Sequence, residues 1–213
     1  FRSLKNMSSQ KPNSDDKINA EHKEKMAALN EAQREKRLAN KKSDRGLVLV
    51  HTGNGKGKSS SAFGVIIRAL GWGHKVAVVQ YIKGTWKTGE KQFFDQHPID
   101  WFTMGEGFTW ETQDRERDIA AATKAFDKSV ELMNSGEYDL IVLDEINIAL
   151  RYDYLDIHHV VDQVAKRHNR TSVILTGRDA KPELMELADL VTEMTEVKHP
   201  YHAGINAKQG IDF

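Results

Sequence analysis

The chain has 213 residues, with 31 basic and 31 acidic side chains and hydrophobic residues at 39%, enough for one α/β domain with a real core and some extra. It contains no cysteine, which excludes a disulfide framework, a thiolate metal site and a cysteine nucleophile and points to the reducing cytoplasm. No apolar run approaches about 18 residues and no signal peptide is visible, so a membrane-spanning or exported class is not expected.

The charge is uneven. Residues 1–45 carry 12 Lys/Arg and 7 Asp/Glu, and the remainder carries 19 and 24. Residues 1–15 read as a tail: positions 1–6 precede the first methionine, Met7, and resemble an expression remnant, and 7–15 are polar and expected to be disordered. Residues 16–45 form a predicted helical arm rich in Ala, Glu, Lys, Arg and Gln. Its apolar positions, Ile18, Met26, Leu29 and Leu38, are sparse, so it needs a partner surface. A basic arm suits nucleic acid. Here acids are interleaved and no aromatic lies between Met7 and Arg45 to stack on bases, which favours a solvated helix docking on an acidic body.

From residue 46 to the end, apolar runs alternate with helical periods. Strands are predicted at 46–52, 75–82, 99–104, 138–144, 171–176 and 190–195. The helix after the first strand carries Phe63, Ile66, Ile67 and Leu70 at i, i+3, i+4, i+7. Residues 83–97 read as a loop with a short helix, 105–113 as a loop, 114–135 as an amphipathic helix, and 155–167 and 181–188 as further helices. Residues 196–213 show no clear period. The alternation implies an α/β fold, a mostly parallel sheet with helices on both faces, with ligands beyond the carboxyl ends of the strands.

The strongest motif lies between the first strand and its helix: Gly53-Asn54-Gly55-Lys56-Gly57-Lys58-Ser59-Ser60. Glycines let the backbone curl so that N–H groups face an anion, and the helix adds its unpaired N-terminal donors. Lys58 supplies charge to phosphates and Ser59 a hydroxyl for Mg²⁺. A flexible Gly/Lys loop without ligand does not account for the flanking strand and helix. The register departs from G-x-x-x-x-G-K-[ST], because Thr52 occupies the first glycine position.

A second motif, Leu140-Ile141-Val142-Leu143-Asp144-Glu145, is a buried strand ending in acids, the place where a phosphate-loop protein holds Mg²⁺. Asp144 and Glu145 point to opposite sides, so only one is expected to touch the metal. Arg68, on the loop's helix, and Arg178, after a strand end, are candidate nucleotide contacts. Phe108 and Trp110 form either an apolar platform for a flat ligand or a cluster packed under their loop. His158 and His159 diverge on a helix, and His199 and His202 have no evident third ligand, so none is taken as a metal ligand.

Thr52–Gly64 (TGNGKGKSSSAFG) resembles the phosphate loop of the P-loop corrinoid adenosyltransferases. So do Val78–Glu90 (VVQYIKGTWKTGE), Gly107–Asp114 (GFTWETQD), Leu140–Ile146 (LIVLDEI), Thr176–Arg178 (TGR) and Val197–Phe213 (VKHPYHAGINAKQGIDF). The match runs from residue 46 to the end, and the unusual glycine register belongs to the family pattern. Ser59 stands where many relatives have Thr.

The resemblance implies a RecA-like P-loop NTPase fold over residues 46–213. It implies ATP bound in reversed sense, with its triphosphate on the loop as leaving group and its 5′ carbon presented to a corrinoid. Co(I) attacks that carbon, giving a Co–C bond and triphosphate, in adenosylcobalamin biosynthesis or salvage. The corrinoid is the nucleophile, so no catalytic Ser, Cys or His is required. Lys58, the loop N–H groups and a Mg²⁺ (or Mn²⁺) held by Ser59 and Glu145 would neutralise the departing charge. Arg68 and Arg178 match positions near the nucleotide, and Phe108 and Trp110 match the corrinoid face, where they would exclude an axial ligand and ease reduction. The family pattern also implies a homodimer with each arm over the partner's site and a flavin-type electron donor for Co(II). The competing readings are a conventional ATPase or kinase and a nucleotide-gated nucleic-acid-binding protein.

Overall fold

A computed structural model describes residues 14–39, 44–82, 88–104 and 114–212. The chain forms two compact units, residues 1–43 and 44–213. The first holds one helix, α1 (Ser14–Ala39). All its described side chains are exposed, Ile18, Met26, Leu29 and Leu38 among them. At 26 residues it spans about 39 Å. It begins two residues before the predicted start.

The second unit runs β1 (Val48–Thr52), α2 (Lys58–Gly71), β2 (Val76–Gln80), α3 (Gly89–Phe94), β3 (Ile99–Thr103), α4 (Arg115–Ser135), β4 (Leu140–Asp144), α5 (Ile146–Arg151), α6 (Ile157–Lys166), β5 (Ser172–Thr176), α7 (Pro182–Leu187) and β6 (Leu190–Glu193), then a 3₁₀ turn (Pro200–Ala203). The six strands form one sheet in the order β3-β2-β4-β5-β1-β6, and every pairing is parallel. No helix among the described residues is long and apolar enough to cross a membrane.

Handedness assigns the helices to faces. Parallel crossovers are right-handed, so connections running one way along the sheet cover one face and those running back cover the other. The chain passes from β1 to β2 to β3 in one direction, and α2 and α3 share a core: Ala62, Phe63, Ile66 and Phe94 pack on Val76, Val78, Leu140, Val142 and Ile174. It then returns through β4, β5 and β6. On the other face Ala125, Phe126, Met133, Ile146, Val160, Val164 and Leu184 pack on Val48, Val50, Ala77, Val79, Ile141, Leu143, Val173 and Leu175. Odd and even strand positions thus divide between the two cores. β4 is buried throughout, as a central strand covered on both faces must be. Each fully buried Val, Leu or Ile contributes roughly 1.5–3 kcal/mol.

Local signals set several boundaries. The Asp114 side chain accepts from Arg117 N at the start of α4, Asp156 accepts from His159 N at the start of α6, and Thr88 caps α3. Asp156 explains why α6 starts at 157 rather than 155. α5 was not expected. Its six residues are too few to display a period, and it is held by burial of Ile146, Ala149 and Leu150.

Candidate active site

The carboxyl ends of β1, β4 and β5 converge on one place. β1 delivers the glycine loop, β4 delivers Asp144 and Glu145, and β5, which lies between them, delivers Thr176 and Gly177. Gly57 adopts φ 111 at the N-cap of α2, a left-handed turn that disfavours any side chain. It aims the chain into the helix so that the first-turn N–H groups, which have no partner inside a helix, face outward from its end. Lys58 is the first helical residue. It is buried, and its Nζ donates to Gly55 O at 2.7 Å.

Gly53 and Gly55 are both packed closely against Met194. A Cβ on Gly53 would stand 2.4 Å from Met194 O, and one on Gly55 2.8 Å from it. The Gly55 N–H donates to that same oxygen at 2.7 Å, and Met194 N donates to Thr52 O at 2.8 Å. The segment after β6 therefore lies against the loop. The expectation that successive loop N–H groups all face an anion is corrected at Gly55, whose donor is taken by Met194. Asn54, Lys56 and Ser60 are exposed. Lys56 Nζ pairs with Asp212.

Behind the loop, the buried His51 Nδ1 lies 2.8 Å from Ser61 Oγ and 3.3 Å from Lys58 O. Burial lowers its pKa, against the hydrogen bond to the Lys58 carbonyl, and the ring ties β1 to the first turn of α2.

Asp144 is buried. Thr176 Oγ1 donates to its Oδ1 at 2.9 Å and Gln80 Nε2 to Oδ2 at 3.4 Å. Burial nevertheless pushes its pKa up, against the lowering effect of the Ser59 hydroxyl, Thr176 and Gln80. Thr176 Oγ1 also accepts from Glu145 N at 2.9 Å. Glu145 has φ 63, a left-handed conformation rare for a side chain of this size. Its carboxyl is pushed up to about 7, first by burial and then by Asp144, while Lys58 and Arg178 pull it down. Lys58 is shifted the other way: burial lowers its pKa, Glu145 raises it, and Arg178 lowers it further. A strained acid, a buried acid and a buried lysine with opposed shifts in one cleft are the electrostatic mark of a functional site.

The 177–179 turn closes this end. Gly177 has φ 127, and a Cβ there would meet Asn147 Cβ at 2.9 Å and Glu145 Oε2 at 3.1 Å. Asn147, fully buried on α5, donates its amide to Gly177 O at 3.1 Å. Arg178 follows, exposed, with its charge acting on both Lys58 and Glu145.

The structure thus brings together Lys58, Ser59, Asp144, Glu145 and Arg178. The Ser59 hydroxyl acts on the Asp144 carboxyl, which sets Asp144 beside Glu145 as a candidate for the metal that the sequence reading assigned to Ser59 and Glu145. A hydroxyl and a carboxylate are hard oxygen donors of the kind Mg²⁺ takes when phosphates and waters complete its shell. Among the described residues no group of three or more His, Asp or Glu could hold a metal alone. Arg68 is not brought to the loop. It is exposed in the last turn of α2, ten residues and about 15 Å beyond Lys58. Phe108 and Trp110 lie outside the described residues. Asn147, His51 and Met194 were given no role, and Thr176 only a place in the TGR match, though a hydroxyl ending an apolar run beside a glycine was a signal.

Residues 44–213 match the model of the family described as ATP:corrinoid adenosyltransferase BtuR/CobO/CobP. The chain is similar to a corrinoid adenosyltransferase of Sinorhizobium sp, 50% identical over 93% of this chain and 94% of that one. One from Pseudomonas aeruginosa is 50% identical over 90% and 95%, and one from Escherichia coli K12 is 42% identical over 83% and 90%. Among solved structures the RadB recombinase aligns with a TM-score of 0.41 at 14% identity, over 73% of this chain and 77% of that one.

Proposed function

The chain belongs to the ATP:corrinoid adenosyltransferase family, and from that premise we propose that it transfers the 5′-deoxyadenosyl group of ATP to the cobalt of a corrinoid, with triphosphate as leaving group. The observation that carries this reading is the glycine loop with its buried Lys58, set against the acid-bearing end of β4. Reduced cobalt supplies the electron pair, the Co–C5′ bond forms, and the C5′–O bond to the triphosphate breaks with its electrons leaving on oxygen. The protein's part is alignment and stabilisation of the charge that develops on the leaving group.

The residues divide that work. Lys58 and the free N–H groups of the first turn of α2 receive the polyphosphate. Ser59 and Asp144 would hold a Mg²⁺ on it, with Glu145 acting through its charge on Lys58. The ion would neutralise phosphate charge. Arg178 reaches the same region from β5. Phe108 and Trp110 form the corrinoid face in this proposal. Replacing Trp110 by Ala is then expected to impair reaction from Co(II) with a weak reductant more than reaction from pre-reduced Co(I), and equal loss in both assays would remove the role. Arg68, distant from the loop in its own chain, is retained as a nucleotide contact only on the family pattern. A flavin-type donor for Co(II) belongs to the same proposal.

The arm is proposed to cover the site of a second copy. Its exposed Ile18, Leu29 and Leu38 leave α1 in need of a surface. Removing residues 7–42 is expected to raise KM for corrinoid while the core stays folded. Unchanged kinetics would make the arm a dispensable tail.

The decisive assay is anaerobic and combines ATP, Mg²⁺ and pre-reduced cob(I)alamin, with phosphate products identified. Inorganic triphosphate together with the absorbance change of a new Co–C bond is expected. ADP and phosphate with cobalt untouched would overturn the reading.

A further inference from the structure

The loop carries two lysines, and the structure holds them differently. Lys58 is buried and turned onto its own loop's carbonyl at Gly55. The half-exposed Lys56 side chain is paired across 156 positions with Asp212, whose own side chain is only 10% exposed. The other Asp212 oxygen accepts from Lys208 N at 2.8 Å, closing a turn that presents the carboxylate. The intervening segment leaves β6 at Met194, whose N and O bond Thr52 and Gly55, and it borders an open cleft of about 360 Å³ lined by Gly55, Lys56 and residues 195–200. The strap is thus fixed to the loop at both ends, by backbone bonds at Met194 and by one ion pair at Asp212.

The two fixings differ in what can undo them. The Met194 bonds engage peptide groups and carry no net charge. The Asp212 bond is a carboxylate on a loop ammonium, and a polyphosphate arriving at the loop offers the same ammonium more charge and more oxygens. The carboxylate also repels that anion. We propose that Asp212 is a positioning residue that occupies Lys56 until a polyphosphate takes it, so that the strap's outer end is released as the loop fills. This rests on the reading of the loop as a polyphosphate site. The consequence is a limit on how tightly the loop keeps its inorganic triphosphate product, since strap and product compete for one ammonium. Lys56 holds the Asp212 carboxyl below the ordinary aspartate range, as an occupied acceptor should be.

The test titrates inorganic triphosphate, at fixed ionic strength, against the wild type, Asp212→Asn, Lys56→Gln, the double variant and Lys58→Ala. Asp212→Asn is expected to bind about two- to five-fold tighter, the range of an exposed ion pair, and the gain is expected to vanish in the Lys56→Gln background. On the unmodified protein, the Asp212 carboxyl ¹³C titration is expected to move up towards the ordinary range when triphosphate is bound. If Lys58→Ala abolishes binding but Asp212→Asn binds no tighter, the loop reading stands and this inference falls. A gain that survives without Lys56, or an Asp212 titration indifferent to triphosphate, also overturns it. Absence of binding in the wild type overturns the loop reading and the inference together.

Discussion

The two ends of the sheet follow opposite electrostatic rules. At the amino ends of the strands, charges are paired and the backbone is tied. Arg45 meets both oxygens of Asp189, whose Oδ2 also accepts from Val48 N at 3.0 Å. Arg167 spreads its guanidinium over the carbonyls of Gly46, Thr171 and Val164 at 2.8–2.9 Å. Lys75 pairs with Glu137 at 2.6 Å. Asp189 is accordingly held down at about 2, chiefly by Arg45 and the Val48 N–H. At the carboxyl ends both acids of β4 are pushed up and Lys58 is pushed down, and Glu145, Asp179 and Gly177 all have positive φ. One end uses charge to hold the fold. At the other, burial works against the charged forms, the pattern of a functional site.

The largest break in that comparison is Lys58→Ala. Removing a charge aimed at the leaving group is expected to lower adenosyl transfer by about 10²–10³-fold. Because burial disfavours the charged lysine in the folded state, the variant is expected to melt no lower than the wild type. A large fall in melting temperature would mean that Lys58 is structural. Asp144→Asn comes next. It keeps the shape that receives Thr176 but removes the buried charge, and an expected loss of about 10- to 100-fold should be accompanied by a higher Mg²⁺ requirement. If Glu145→Gln raises that requirement and Asp144→Asn does not, Glu145 is the metal's acid after all.

Gly177→Ala probes the strained backbone. A Cβ at φ 127, only 2.9 Å from Asn147 Cβ, is expected to cost roughly 2 kcal/mol, about 4–8 °C in Tm for a domain of this size. KM for ATP is expected to rise with it, since Arg178 is the next residue. Thermal unfolding and initial-rate kinetics on one preparation check both.

What the sequence showed and hid divides along the same line. The strands, the glycine loop and the acids ending β4 were legible because each is a local pattern: an apolar run, a glycine spacing, a charge after four hydrophobes. The reason for Gly53 and Gly55 was hidden, because their constraint is Met194, some 140 positions away. The choice between Asp144 and Glu145 was equally hidden. Alternation places them on opposite sides but says nothing of which side Ser59 occupies, and Glu145 leaves the strand in a left-handed conformation that no residue type announces. α5 was missed for the same cause, since it starts at that turn without a capping side chain. Arg68 looked close in sequence and is far in space because a straight helix separates it from the loop.

Asp189→Asn tests the quiet end and should have the smallest effect. Its folded pKa of about 2 lies below the unfolded value of about 3.9. The unfolded chain therefore binds more protons in the window between them, and stability falls as pH falls through it. Above about pH 4 the Asp189 contribution is fully present, and by about pH 2 it is largely lost. The ion pair with Arg45 is partly exposed, so the variant should cost only about 1 kcal/mol at neutral pH, near 2–4 °C. The gap between wild type and variant, followed by denaturant unfolding from pH 6 to pH 2, is expected to stay level and then close between about pH 4 and pH 2. Adenosyl transfer should not change, because this end of the sheet touches neither the loop nor its acids. A gap that persists to pH 2 would show that Asp189 acts through the shape of its hydrogen bonds to Val48 and Arg45 rather than through its charge, and the contrast between the two ends would then be one of packing.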